Sequence, residues 1–100
     1  MTVISILGVT GSVGRSTMKV LSEAPGRYRV EAVAGGRDPQ ALAQVARDLG
    51  ARFAAIADLA KGAELADLLA GTGIASGAGP SAIIEAAQRE ANLVVAAISG

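Results

Sequence analysis

Apolar residues along this chain follow two alternating spacings, one typical of strands and one typical of helices. Residues 3–7 read V-I-S-I-L, a short apolar run of the kind that forms a buried strand. After a glycine-rich stretch, apolar residues return at intervals of three and four from Val13 to Ala24, as on one face of an amphipathic helix. The same alternation continues to the end of the chain. The pattern therefore predicts five strands alternating with four helices.

Turn-forming and capping residues indicate where these elements begin and end. The predicted strands are Val3–Leu7, Tyr28–Ala34, Phe53–Ala57, Gly73–Gly77 and Leu93–Ile98. The predicted helices run from Val13 to Ala24, from Asp38-Pro39 to Gly50, from Asp58 to Gly71 and from Pro80 to Asn92. Asp38 and Asp58 are expected to cap their helices, because a carboxylate accepts hydrogen bonds from first-turn amides. The last helix is expected to bury Ile83, Ile84, Ala87 and Ala91 and to expose a Glu85–Arg89 pair.

Strands joined through helices by short turns imply crossover connections and a mostly parallel sheet. The predicted fold class is therefore α/β, a doubly wound, Rossmann-like sheet, with residues 1–100 forming one domain. The second strand alternates apolar and polar residues, so one of its faces is expected to be partly exposed. Because the chain stops at Gly100 directly after a strand, it is expected to be truncated at its C-terminus. Apolar surface near Val94–Ile98 is then expected to be exposed or to pair with a second copy.

Composition and charge exclude several function classes. The nine basic and nine acidic residues give a net charge of zero, so no long-range field recruits nucleic acid or an anionic membrane. Cysteine and histidine are both absent, which excludes Ser-His-Asp and Cys-His mechanisms and zinc sites of the usual type. The sequence shows neither a basic leader segment nor an apolar run of membrane-spanning length, and a cytoplasmic location is expected.

The candidate chemistry begins where the first strand ends. Residues 8–14 read G-V-T-G-S-V-G, a glycine-rich turn between a strand and a helix. Glycines let the backbone approach a pyrophosphate, and the following helix start offers free N–H groups to its negative charge. The spacing is G-x-x-G-x-x-G instead of the usual G-x-G-x-x-G, so the argument depends on the strand and helix on either side. A dinucleotide-binding site is the leading hypothesis.

The end of the second strand indicates which dinucleotide is bound. Proteins of this fold that bind NAD carry an acidic residue there, which hydrogen-bonds the ribose 2′-hydroxyl. Here the strand runs into Gly35 and Gly36, and the first charged residue is Arg37. A guanidinium at this place suits the 2′-phosphate of NADP, and the two glycines leave room for the phosphate and the adenine. A carboxylate near a 2′-phosphate is unfavourable, and helix capping is sufficient to explain Asp38.

These residues carry a family resemblance. Residues 8–17, G-V-T-G-S-V-G-R-S-T, resemble the opening motif of 1-deoxy-D-xylulose 5-phosphate reductoisomerases, commonly G-S-T-G-S-I-G-x-S-T. Residues 36–38, G-R-D, resemble a family G-[KR]-N segment, and residues 97–100, A-I-S-G, resemble the start of a family A-I-x-G-x-A-G-L motif. Val9 stands where the family usually has a small serine, and Asp38 stands where it mostly has asparagine. The resemblance covers essentially the whole chain.

The resemblance implies the N-terminal, NADPH-binding part of an enzyme of isoprenoid biosynthesis. Such an enzyme converts 1-deoxy-D-xylulose 5-phosphate into 2-C-methyl-D-erythritol 4-phosphate with NADPH and a divalent metal, Mg or Mn. The resemblance assigns the pyrophosphate to Thr10, Gly11, Ser12 and Val13. It assigns the adenosine 2′-phosphate to Gly36, Arg37 and Asp38. The metal ligands and the phosphosugar site are expected beyond residue 100, so this chain alone is expected to be inactive, and the full-length enzyme is expected to be a homo-oligomer.

Two other functions stay open on the sequence. An NADPH-dependent reductase similar to aspartate-semialdehyde dehydrogenase also opens with a G-x-T-G-x-x-G loop and carries its catalytic cysteine later in the chain. A non-catalytic nucleotide-sensing module is the third possibility. Residues 35–39, G-G-R-D-P, and the terminal A-I-S-G favour the reductoisomerase over the dehydrogenase-like reductase.

Overall fold

A computed structural model of the chain describes residues 1–8, 16, 19–21, 23 and 26–96. The five described strands are β1 (Thr2–Leu7), β2 (Tyr28–Gly35), β3 (Phe53–Ile56), β4 (Ala75–Ala78) and β5 (Leu93–Ala96). The helices described in full are α1 (Pro39–Leu49), α2 (Gly62–Leu68) and α3 (Pro80–Gln88), with a short 3₁₀ helix at Leu59–Lys61. Residues 16 and 19–21 are also helical, within the helix predicted between the first two strands. The alternation read from the sequence is confirmed in these parts of the chain.

The strands form one sheet in the order β4-β3-β2-β1-β5, and every described pair is parallel. Successive strands move outward from β1 to β4, and the chain then returns to place β5 on the other side of β1. The predicted Rossmann-like, doubly wound sheet is confirmed. Because the direction of winding reverses between β1 and β5, their carboxyl ends form the switch point at which such sheets bind ligands.

Helices cover the two faces of the sheet and enclose two apolar clusters. One cluster packs α1 and α2 against one face, with Ile6, Val33, Leu42 and Leu65 among its fully buried members. The other packs α3 against the opposite face, largely through small residues. Residues 30–35 of β2 are consequently buried throughout, so the prediction of a partly exposed face on this strand was wrong.

The buried face of α3 also differs from the prediction. Ala82 and Ala86 point into the core, whereas Ile84 is 54% exposed and Ala87 is exposed. The start of this helix lies very close to β4. A Cβ built on Gly77 of that strand would lie only 3.0 Å from the Cβ of Ala82. So close an approach admits only small side chains at these positions, and the larger Ile84 is turned outward. The helix ends at Gln88, so Ala91 lies beyond it.

The pairing between β1 and β2 has one irregularity. Ile4 pairs with Val30, but Ser5 pairs with Ala32, which leaves Glu31 as an extra residue in β2. Such a bulge locally disrupts the alternation of side chains between the two faces. The charged residue at this position is buried and belongs to a cluster of ion pairs described below.

Candidate functional site

Gly8 turns the chain away from the sheet at the carboxyl end of β1. Its φ of 83° lies in the left-handed region, which only glycine adopts without strain. Its N–H donates to the carbonyl of Ala34 at 2.9 Å, so this turn is tied to the end of β2. The first glycine of the motif therefore does what the sequence predicts: it ends the strand with a sharp turn at the switch point.

The residues assigned to the pyrophosphate are Thr10, Gly11, Ser12 and Val13, and all four lie outside the described residues. They follow the Gly8 turn directly along the chain, and Ser16, a few residues later, is helical. Their assignment stays a prediction.

The end of β2 lies beside the end of β1 and is held by the chain that follows β3. The N–H of Ala57 donates to the carbonyl of Gly35 at 2.9 Å, and the N–H of Asp58 donates to the carbonyl of Gly36 at 3.0 Å. Gly36 is exposed, and a Cβ built on it would meet no atom of the described residues within 4 Å. This turn therefore has a fixed backbone and open space in front of it.

Arg37 projects from this turn with an exposed side chain. Within the described part of the chain, its guanidinium has neither an ion-pair partner nor a hydrogen-bond acceptor. An unpaired guanidinium offers its fork of N–H donors to a phosphate without first breaking an internal contact. The arrangement fits the role that the sequence predicts for Arg37.

Asp38 begins α1. Its Oδ1 accepts a hydrogen bond from the N–H of Ala41 at 3.1 Å, and Pro39 occupies the first turn of the helix. Gly50 ends the helix with a φ of 63°. The predicted capping by Asp38 is confirmed, and its carboxylate is held at the helix start, next to Arg37 in the chain.

Asp58 performs the same task one strand further along. Its Oδ1 accepts from the N–H of Ala60 at 3.0 Å and caps the 3₁₀ helix that leads into α2. The helix predicted to run from Asp58 to Gly71 is therefore a 3₁₀ turn followed by the shorter α2, because residues 69–73 form turns. Among the residues that the structure describes, the carboxyl edge of β2 and β3 thus carries the unpaired guanidinium of Arg37 and two carboxylates that accept hydrogen bonds from backbone amides.

A cluster of charged side chains lies at the opposite, amino end of the sheet, and sequence reasoning missed it. Glu31 Oε2 accepts from Arg89 Nε at 2.9 Å, and Glu31 Oε1 lies 3.7 Å from Arg29 Nη2. The Arg89 guanidinium carbon lies 4.9 Å from the centre of the Phe53 ring, and its Nη1 donates to Glu85 at 3.1 Å. Only the Glu85–Arg89 pair had a sequence signal, its spacing of four residues on a helix.

This cluster borders a polar cavity of about 490 Å³, which Arg52 and Glu90 also line. The cavity lies at the amino end of the sheet, away from the switch point. Because the buried carboxylate of Glu31 is already paired with two partly buried arginines, we interpret the cluster as a structural element that joins the end of α3 to β2 and β3.

Among the described residues, no three Asp or Glu side chains come together as metal ligands would. None of the helices in the same part of the chain is both long enough and apolar enough to cross a membrane.

The sequence matches one known enzyme family over nearly its whole length. Residues 4–100 match the family model described as 1-deoxy-D-xylulose 5-phosphate reductoisomerase. A reductoisomerase of Bradyrhizobium sp. (strain ORS 278) is 58% identical over 97 residues, which are 97% of this chain and 24% of that protein. One from Nitrobacter hamburgensis is 55% identical over the same share of both chains. This chain thus spans about a quarter of the length of these relatives.

Solved structures give the same result. The reductoisomerase from Zymomonas mobilis in complex with NADPH matches with a TM-score of 0.96 and 36% identity, over 99% of this chain and 26% of that one. A DOX-P reductoisomerase in complex with NADPH, fosmidomycin and magnesium matches with a TM-score of 0.91 and 29% identity, over 100% of this chain and 25% of that one.

Proposed function

We propose that this chain, which belongs to the 1-deoxy-D-xylulose 5-phosphate reductoisomerase family, is the NADPH-binding part of such an enzyme. The whole protein would convert 1-deoxy-D-xylulose 5-phosphate into 2-C-methyl-D-erythritol 4-phosphate in isoprenoid biosynthesis. The observation that carries the proposal is that Arg37, at the end of β2 and beside a glycine turn at the switch point of a parallel sheet, has no partner among the described residues. The matched proteins are reductoisomerases, so the dehydrogenase-like alternative has no support among them.

The described residues fit the adenosine end of NADPH. The open space over Gly36 would receive the ribose, and the exposed guanidinium of Arg37 would bind the 2′-phosphate. Thr10, Gly11, Ser12 and Val13 would hold the pyrophosphate through backbone N–H groups. When bound, NADPH supplies the hydride for reduction, while this chain supplies binding and orientation.

The rest of the reaction belongs to other parts of the protein. We propose that the ligands for the divalent metal and the binding site for the phosphosugar come from residues that follow residue 100 in the family. Support comes from the related structures that contain magnesium and fosmidomycin, which are about four times as long as this chain. This chain by itself should therefore bind cofactor without turning over substrate.

We also propose a cytoplasmic, homo-oligomeric protein that has no nucleic-acid partner. The absence of cysteine suits a reducing compartment, and the net charge of zero offers no attraction to nucleic acid. Leu93 and Val94 in β5 are 49% and 42% exposed, and the edge of β5 has no paired strand within the described residues. An apolar strand edge of this kind favours self-association of this 100-residue chain on its own.

Calorimetric titration with NADPH and NADH tests the proposed cofactor. We expect the chain to bind NADPH more tightly, and Arg37→Ala to weaken NADPH binding about tenfold or more, since a charge-assisted contact to a phosphate is lost. NADH binding should change little. Equal affinity of the unmodified chain for both cofactors would contradict the proposal.

Arg52→Ala is the matched control. Arg52 is also exposed, and its substitution also removes one positive charge. It precedes β3 at the amino end of the sheet, away from Arg37. Its replacement should leave both affinities unchanged. If Arg52→Ala weakens NADPH as much as Arg37→Ala does, the effect is one of net charge and Arg37 has no special role.

A further inference from the structure

Asp38 follows Arg37 directly in the chain, so it places a negative charge on the turn that presents the guanidinium that we assign to the 2′-phosphate. The two residues are adjacent in the chain and both side chains are exposed. The hydrogen bond from Ala41 N–H to Asp38 Oδ1, 3.1 Å long, holds the carboxylate at the first turn of α1. Because of this bond, the carboxylate stays at the turn that also presents Arg37.

The helix cap does not require this charge. Asparagine caps a helix as well as aspartate, because its side-chain oxygen accepts the same hydrogen bond. The carboxylate therefore adds an electrostatic effect that the start of α1 does not need. It repels a nearby phosphate, and it offsets the positive end of the α1 dipole. Both effects act against the negative charge of the 2′-phosphate of NADPH, a charge that the 2′-hydroxyl of NADH does not carry.

We infer, on the basis of the proposed function, that Asp38 is a specificity-determining residue. Its carboxylate lowers the affinity of this chain for ligands that carry a 2′-phosphate and leaves ligands with a 2′-hydroxyl unaffected. Arg37 then attracts the 2′-phosphate and Asp38 repels it. The ratio of the affinities for NADPH and NADH is therefore smaller than Arg37 alone would produce.

The test compares the unmodified chain with Asp38→Asn by calorimetric titration of 2′,5′-ADP and 5′-AMP. These two probes differ only in the 2′-phosphate. We expect Asp38→Asn to bind 2′,5′-ADP about two- to fivefold more tightly and to bind 5′-AMP as the unmodified chain does. The gain should shrink at high salt, since the groups are exposed and their interaction is screened. The midpoint of thermal unfolding should fall by a few degrees at most, because the cap is retained and only the attraction between the charge and the helix dipole is lost.

Asp48→Asn is the matched control on the same helix. Asp48 lies ten residues beyond Asp38, or about 15 Å along α1, and its Oδ1 accepts from Gln44 Nε2 at 2.8 Å. The change in charge is identical, but the distance to Arg37 is large. We expect no change in the affinity for either probe.

Each remaining outcome overturns the inference. An unchanged or weaker affinity of Asp38→Asn for 2′,5′-ADP shows that the carboxylate does not oppose the phosphate. Weaker binding of 5′-AMP shows that Asp38 accepts a hydrogen bond from the ribose. An equal gain from Asp48→Asn shows a general effect of charge. Failure of the proposed function is separate, because it is measured by Arg37→Ala: if Arg37→Ala weakens NADPH and Asp38→Asn gives no gain, only the inference on Asp38 falls.

Discussion

At the amino end of the sheet Arg29 and Arg89 both approach the carboxylate of Glu31, whereas at the carboxyl end Arg37 has no side-chain partner within the described residues. The first pair of arginines is partly buried and the Glu31 side chain is only 10% exposed, so their charges are used to join elements of the fold. Arg37 is exposed and contacts no acidic side chain of the part of the chain that the structure describes. Whether an arginine is paired, more than whether it is present, separates a structural group from one that is free to bind a ligand.

The largest expected effect concerns the carboxyl end. Gly11→Val places a branched side chain where the backbone is proposed to meet the pyrophosphate, so NADPH binding should fall by about a hundredfold or more while the fold survives. Calorimetric titration measures the binding, and circular dichroism checks the fold. Normal NADPH binding by a folded Gly11→Val variant would show that the glycine motif is only a structural turn.

The next effect concerns the amino end and should appear in stability alone. Glu31→Gln removes the charge that neutralises Arg29 and Arg89, at a side chain that is 10% exposed, and should lower the free energy of unfolding by about 1–3 kcal/mol. NADPH affinity should be unchanged. Denaturant unfolding provides the measurement.

Glu85→Gln is the control for this variant, because Glu85 pairs with the same Arg89 but is 55% exposed. Its effect on the free energy of unfolding should stay below about 0.5 kcal/mol. Equal losses in the two variants would show that burial does not distinguish the two ion pairs. Weaker NADPH binding by Glu31→Gln would show that the two ends of the sheet are coupled.

The smaller effects are on cofactor affinity at the carboxyl end, and they distinguish Arg37 from the paired arginines at the amino end. Arg37→Ala should weaken the binding of NADPH about tenfold or more. Asp38→Asn, in the same turn, should strengthen the binding of 2′,5′-ADP about two- to fivefold. Neither should alter stability as Glu31→Gln does. If Arg37→Ala destabilised the fold as strongly as Glu31→Gln, Arg37 would be a structural arginine after all.

The functional turn was predictable because its signals are local. The first glycine of the motif follows an apolar strand, and Asp38-Pro39 has the residue types of a helix start. Both features depend on only a few consecutive residues, and both are found where they were expected. The unpaired state of Arg37 was not predictable, since it depends on which carboxylates the folded chain brings close to it.

The sequence by itself determined the alternation of elements, the helix start at Asp38 and the glycine turn after β1. Periodicity, capping and turn formation act over a few residues, so they can be predicted from consecutive residues alone. Only the tertiary structure decided that β5 lies beside β1, that Glu31 is buried between two arginines and that α3 turns Ile84 outward. These features depend on contacts between residues far apart in the chain, and on how closely a helix can approach the sheet it covers.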